Sequence, residues 1–435
     1  MLKKTGTNLH ESAGSHAAAL AGALDRYEVD EAQMKAFLPP ARATTPSCIV
    51  HEDSPPTRLM DMNLEDGLLP ALQRELEIRI KIDAGIRQMA EEVMKTFPQS
   101  QQYSPLSTQF ENSVFFLPSA QRFYELNKDK IYGTFPSIET CVVNAFVVPP
   151  NRRPYGVHNA ASIGFQVPQL AKQGLAWPKT YVSFHCAVTP TPLTRQPLVV
   201  FEDATSESPN TSFSYDLVRS QDLDEEEARI VDKAFYLHDT NQLSEFDLPT
   251  IGHFLLCKYW EKKYATMPEK ASGYFCEAKP GQAVVFDNYK PHGDATLNPS
   301  PEPRITVDVR CFSKVDYPSD RLTGGIDFVL NPERKAQLRE RKKGALECLV
   351  MLLGWNDFGE FLRAVYGHEN VDPFDITTDL QFSVYNKTPH YILSQNLEPH
   401  YEKCAETYDR IERDGEYVFP QKAKEAFTAL YAKAR

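Results

Sequence analysis

The chain has 435 residues, 42 % of them hydrophobic and 24 % charged, with a formal net charge of −12. That length allows a large buried core, and the composition is that of a globular protein. The acidic balance, with no basic block longer than RERKK at 339–343, argues against a nucleic-acid binder, and no window approaches the roughly 18 apolar residues of a membrane span.

Residues 1–60 are rich in Ala, Ser, Pro and Thr and read as a loosely ordered lead-in. Residues 61–134 are expected to be helical. In 65–97 apolar residues recur at mixed three and four spacings, predicting one or two amphipathic helices, and SAQRFYELNKDKIY predicts another. The texture changes at 135. TCVVNAFVVPP, KTYVSFHCAVTP, QPLVVFEDA, SGYFCEA, QAVVFDNY and RITVDVRCF are short β-branched or aromatic runs bounded by Pro, Gly and Asn, which are strand signals. They define a core over 135–330, with two helices inserted at 222–268. Residues 331–435 are mostly helical and read as an extension packed on that core, the RERKK run forming a solvated face. Helices, then strands, then helices make one α+β domain around a β-sandwich or barrel.

The eight cysteines are scattered with no C-x-x-C pair, which disfavours a disulfide framework or a zinc site of the usual spacing. The N-terminus starts positive but has no sustained apolar region, so a signal peptide is not expected. A reduced, cytoplasmic setting follows as the default.

The most informative stretch is KPGQAVVFDNYKPHGDATLNPSPEPRITVDVRCFS, 279–313. A Pro-Gly turn launches a buried strand, a loop presents His292, and a Pro-rich connection leads to a second strand that returns Arg304. Antiparallel neighbours joined in this way set a His and an Arg on one inner face. His is the commonest metal ligand among side chains, and Arg offers a fork for a carboxylate.

This stretch resembles the C-terminal half of the Fe(II)/2-oxoglutarate-dependent oxygenases, in particular their phytanoyl-CoA dioxygenase-like branch. The resemblance implies a double-stranded β-helix (jelly-roll, cupin-like) core, with His292 as the distal iron ligand and Arg304 clasping the distal carboxylate of 2-oxoglutarate. The chain departs from the family pattern at Gln282, where Asp is usual, and at Asp294, where Ser is usual; neither position is a ligand.

In that family the first ligand and a carboxylate come as His-x-Asp or His-x-Glu, on a strand well before the distal His, and the facial triad leaves positions open for cosubstrate and O₂. This chain offers that pattern at His51/Asp53 and His400/Glu402, both in the wrong place for the fold. His158 stands where the order demands, but within RRPYGVHNAASIGFQ its third position is Ala160. His-x-Ala resembles the Fe(II)/2-oxoglutarate-dependent halogenases, in which chloride or bromide takes the place of the missing carboxylate. A carboxylate and a halide are both anionic, so the exchange keeps the charge of the site. A carboxylate from Asp203 or Glu202 is the alternative, and loss of the metal from a jelly-roll binding protein is another.

His185 sits in mid-strand on the side of Tyr181 and Ser183, and is either a pocket residue that helps hold 2-oxoglutarate or a satisfied core histidine. Asp287 and Asn288 are placed either to hydrogen-bond a ligand His or to stabilise a turn. The expected protein is an enzyme that uses Fe(II), 2-oxoglutarate and O₂, with chloride if it halogenates. It binds metal through His158 and His292, carries Ala160 and His185 at the reacting centre, and acts on an unactivated C–H bond of a small-molecule substrate. Hydroxylation at the same centre is the runner-up. Neither a nucleic acid nor a membrane is expected as partner, and the sequence leaves the oligomeric state open.

Overall fold

The computed structural model describes residues 2–5, 24–25, 27–40, 48–50, 55–96, 117–148, 180–191, 198–201, 207–209, 223–240, 242, 273–290, 292–294, 301–313, 332–373, 376, 384–386 and 396–432. In chain order the strands are β1 (Leu2–Thr5), β2 (Cys48–Val50), β3 (Arg58–Asp61), β4 (Ile138–Val148), β5 (Tyr181–Ala187), β6 (Leu198–Phe201), β7 (Glu207–Pro209), β8 (Gly273–Cys276), β9 (Gln282–Asp287), β10 (His292–Asp294), β11 (Arg304–Ser313) and β12 (Val384–Asn386). The helices are α1 (Glu31–Phe37), α2 (Leu68–Thr96), α3 (Pro118–Thr134), α4 (Glu225–Asp239), α5 (Pro332–Leu352), α6 (Phe358–Tyr366), α7 (Glu398–Asp414) and α8 (Gln421–Ala432).

Two antiparallel sheets carry the strand-rich middle. The larger has the order β12-β4-β11-β5-β9-β3 and the smaller β1-β8-β6-β10; β2 and β7 form a separate pair. Strands from the lead-in thus take part in the sheets, β1 beside β8 and β3 beside β9. The turn before β9 is built as its residues dictate. Pro280 and Gly281 occupy its centre, Gly281 has φ +82°, and Gln282 N–H donates to the Lys279 carbonyl at 2.9 Å. That is the type II geometry, which needs a residue tolerant of positive φ at its third position.

Strand alternation divides the large sheet into two faces. On the outer face Val143, Phe184, Val285 and Val307 are buried with Leu72 and Leu76 of α2 and Phe123 and Ile131 of α3. The run over 65–97 is therefore one helix, and it does double duty. Further along α2, Ile78, Ile82 and Ile86 join a second core made with Leu349, Phe361, Tyr408 and Phe427 of the C-terminal helices. Among the inserted residues, α4 packs on α1 through Ile230, Phe235 and Met34; the second helix expected before 268 lies outside the described residues.

One local expectation is corrected. His292 is not in a loop but begins β10, which pairs with β6, so that His292 lies opposite Val200. The β9 and β11 strands are not neighbours either, because β5 runs between them. His292 and Arg304 consequently stand on different sheets. The reason is topological: the chain leaves the large sheet after β9 and crosses to the small one before returning.

Candidate active site

The inner face of the large sheet is unusually polar for a sandwich interior. Arg304, Thr306, Asp308 and Arg310 alternate along β11 with Ile305, Val307, Val309 and Cys311, which face the helices. Thr306 pairs with Phe146 of β4 and Ala187 of β5, and Asp308 with Asn144 and His185. Arg304, Thr306, Asp308 and Asn144 are between 1 % and 4 % exposed. At the β9 end the same space is apolar, where Val284 and Phe286 meet Leu198 and Val200 of the small sheet.

His292 enters from the opposite side, 5 % exposed, its ring 4.7 Å from that of Phe286 in an edge contact. Its Nδ1 lies 2.8 Å from the Lys290 carbonyl oxygen. A carbonyl only accepts, so Nδ1 carries the proton and Nε2 keeps the lone pair. Burial is the largest influence on this ring and pushes its pKa down to about 4; the Lys290 bond and the Asp308 charge oppose that, and Arg310 and His185 add to it. The imidazole is thus neutral near pH 7, fixed in one tautomer, as a metal-ligating histidine must be.

Asp308 is the electrostatic centre of the inner face. Arg310 Nε donates to its Oδ2 at 2.8 Å, and His185 Nδ1 stands 3.8 Å from Oδ1, too long for a hydrogen bond. Burial alone would push the Asp308 carboxyl up, but His185 and Arg310 together hold it well below the usual carboxylate range. The Arg310 guanidinium also lies 5.7 Å over the Phe146 ring, which helps fix it in place. Four buried atoms here have no hydrogen-bond partner among the described residues: Asn144 Oδ1, Thr306 Oγ1, Asp308 Oδ1 and His185 Nε2. Leaving such an atom unsatisfied costs about 1–3 kcal/mol.

Of the residues singled out from sequence, His292, Arg304 and His185 all fall on the space between the sheets. The His185 Nε2 has no hydrogen-bond partner among the described residues. His158, Ala160, Glu202 and Asp203 lie outside the described residues. Asp287 Oδ1 accepts from Tyr289 N–H at 2.8 Å within the turn that follows β9, and the Asn288 side chain bonds Ser183 Oγ of β5. His400 is a core residue of α7, with Trp355 Nε1 donating to its Nδ1 at 3.1 Å and Cys404 Sγ 3.5 Å from Nε2. Cys141, Cys186, Cys276, Cys311, Cys348 and Cys404 are buried and not in disulfides.

Sequence reading missed Asn144, Thr306, Asp308 and Arg310 as members of the site. A signal was available, because RITVDVR places a polar residue at every second position of a run that reads as buried. As a test of fit, His292 has the tautomer and burial of a ligand, and Arg304 gives the same space a fixed positive fork suited to a carboxylate. Among the described residues no group of three His, Cys, Asp or Glu side chains is arranged to hold a metal ion. No helix among them is long and apolar enough to cross a membrane.

No family model matches the sequence, and no curated protein matches it. Among solved structures the chain is similar to the non-heme α-ketoglutarate-dependent carbocyclase SnoK from nogalamycin biosynthesis, at 14 % identity and a TM-score of 0.32, over 60 % of this chain and 81 % of that one. It is also similar to EctD from S. alaskensis in complex with 2-oxoglutarate and 5-hydroxyectoine, at 14 % identity and a TM-score of 0.25, over 66 % of this chain and 76 % of that one. GlcNAc Inducible Gene 2 from Candida albicans is matched at 10 % identity and a TM-score of 0.24, over 86 % of this chain and all of that one (100 %). At this degree of similarity the functional reading rests on the chain's own residues.

Proposed function

We propose that the chain is an Fe(II)/2-oxoglutarate-dependent oxidoreductase acting on an unactivated C–H bond of a small-molecule substrate. The observation that carries this reading is the pairing of a buried, neutral His292, its Nδ1 committed to the Lys290 carbonyl, with a buried Arg304 on the facing sheet. The strand order supports it as well: β4, β11, β5 and β9 are neighbours in one sheet while the intervening β6, β8 and β10 form the other, the alternation of a double-stranded β-helix.

In this reading His292 and His158 hold the metal, and Arg304 takes the distal carboxylate of 2-oxoglutarate. Bound there, the iron and its cosubstrate supply O₂ activation coupled to loss of CO₂ from 2-oxoglutarate. The protein's own part is to orient and to exclude water. Lys290 fixes the His292 tautomer, Phe286 packs against its ring, and Asp308 with Arg310 keeps the inner face charged but internally balanced. Ala160 gives the finer assignment, halogenation, since it supplies no carboxylate and leaves room for chloride or bromide. A hydroxylase with its carboxylate drawn from elsewhere in the chain is the second form of the same chemistry.

His292→Ala tests the class. Wild-type protein is expected to take up one Fe(II) per chain and to form succinate from 2-oxoglutarate under O₂. The variant is expected to lose both by tenfold or more while keeping its circular dichroism spectrum. Unchanged succinate formation in a folded variant would remove His292 from the metal site.

A further inference from the structure

We infer that residues 55–62 of the lead-in are a strap that positions His292, acting through Lys290 and Leu59, so that these two are positioning residues of the proposed metal site. The inference rests on the reading above for treating His292 as a ligand.

The strap runs alongside β9. At one end Met62 N–H donates to the Gly281 carbonyl at 2.9 Å and Gln282 Nε2 donates to Asp61 Oδ1 at 2.7 Å, both at the turn that launches β9. From there β3 pairs with β9, Asp61 opposite Gln282 and Arg58 opposite Val285. The antiparallel direction carries Pro55 toward the far end of β9, where Lys290 Nζ donates to the Pro55 carbonyl oxygen at 3.0 Å. Lys290 is 5 % exposed, so this bond is made largely out of water, where it is electrostatically stronger than on the surface.

Lys290 is bonded through both its side chain and its main chain. The side chain holds the strap, and the carbonyl oxygen accepts from His292 Nδ1 at 2.8 Å. Lys290 N–H donates to the Asp287 carbonyl and Asn288 N–H to the Tyr181 carbonyl, which ties the same turn to β9 and β5. A displacement of the strap therefore pulls on the carbonyl that sets the tautomer and aim of the His292 ring.

The strap reaches that ring by a second route. Alternation along β3 sends Met60 to the outer core with Ala283 and Val285, and Leu59 to the inner face, against the cluster of Val284, Phe286, Leu198 and Val200. Phe286 is the residue whose ring meets that of His292 at 4.7 Å. The strap thus backs both constraints on His292, the acceptor at Nδ1 and the aromatic wall beside the ring. A ligand histidine needs both, because Nε2 binds metal only when tautomer and ring direction are right.

The test uses the full-length chain and two substitutions that loosen the strap at different points, Lys290→Met and Leu59→Ala. In metal-free protein with isotope-labelled histidine rings, the His292 nitrogen signals are identified by their loss in His292→Ala. Wild type is expected to show one tautomer, protonated at Nδ1, and each variant is expected to show exchange between the two. Anaerobic Fe(II) titration is expected to give an affinity lowered about tenfold in Lys290→Met, as for other partners that orient a ligand, and by a smaller factor in Leu59→Ala, with unchanged circular dichroism. Should Lys290→Met fail to fold, Leu59→Ala carries the test by the same two readouts. A wild-type ring without a single tautomer, or wild-type spectra and affinity in the folded variants, would overturn the inference. So would a change confined to one of two folded variants, since that would assign the effect to the one residue and not to the strap. Tautomer exchange in both variants of a chain whose wild type takes up no Fe(II) would leave the strap standing while the metal reading fell.

Discussion

Asp308 is pulled toward the neutral form by its burial and toward the charged form, more strongly, by His185 and Arg310. Its native pKa is therefore depressed, so the stabilisation it contributes is present above its unfolded value of about 3.9 and is lost as pH falls below that. Asp308→Asn removes the counter-charge of Arg310, whose side chain is 22 % exposed. A loss of roughly 2–3 kcal/mol at pH 7 is expected, below the fully buried case because of that exposure. Urea denaturation at pH 7 and near pH 3 checks this: the gap between variant and wild type should shrink at the lower pH, and a gap independent of pH would contradict it. At this scale the sequence was half legible. His292 and Arg304 stand in one local motif whose turn, strand and Pro-rich connection can be read in a line. The contact between Asp308 and His185 joins distant segments through strand register, which no local pattern encodes, and the positions of His158 and Ala160 lie outside the described residues.

Helix α3 starts with Pro118 but has no side-chain cap of its own at Leu117. Its first turn is capped instead by Glu75 of α2, whose carboxylate accepts from Ser119 N–H at 3.1 Å and from Ser119 Oγ–H at 2.7 Å. Burial nevertheless raises the Glu75 pKa to about 7, against the lowering effect of those bonds. With the native value above the unfolded one, the native state holds the extra proton, and stability falls as pH rises from about 4.3 toward 7. The shift corresponds to roughly 3 kcal/mol across that window. Glu75→Gln should flatten this part of the profile, so that urea midpoints at pH 5 and pH 8 differ less in the variant than in wild type. An identical pH dependence in the two proteins would contradict it. Elements of this kind were the most legible features of the chain. Helices α2, α3 and α5 and strands β4, β5, β9 and β11 follow from apolar period and β-branched runs. Strand β10 was not legible, because HGD has no strand propensity and pairs only because the topology delivers it to the edge of β6.

At the scale of the whole molecule, helix α2 threads two of the apolar cores among the described residues, with Leu72 and Leu76 in the sheet core and Ile82 and Ile86 in the helical one. Arg74 adds a surface tie from α2 to Asp409 and Glu412 of α7, where exposure keeps its contribution small. A shared rigid element couples the two cores, so Leu76→Ala and Ile82→Ala should each lower the same cooperative transition, by about 2–5 kcal/mol. Helical and tertiary signals should still coincide in both variants. Early loss of helix in Ile82→Ala, with the sheet intact, would show that the C-terminal helices unfold by themselves. Among the described residues the sandwich positions a charged, partly unsatisfied space between its sheets, and the proposed function puts there an iron with a coordination position open to halide. The most direct measurement is anaerobic visible absorption of the protein with Fe(II) and 2-oxoglutarate, recorded without halide, then with chloride, then with bromide. A charge-transfer band that shifts between chloride and bromide is the expected result. A band indifferent to halide would contradict the open position at Ala160, and the absence of any band would contradict the metal site itself.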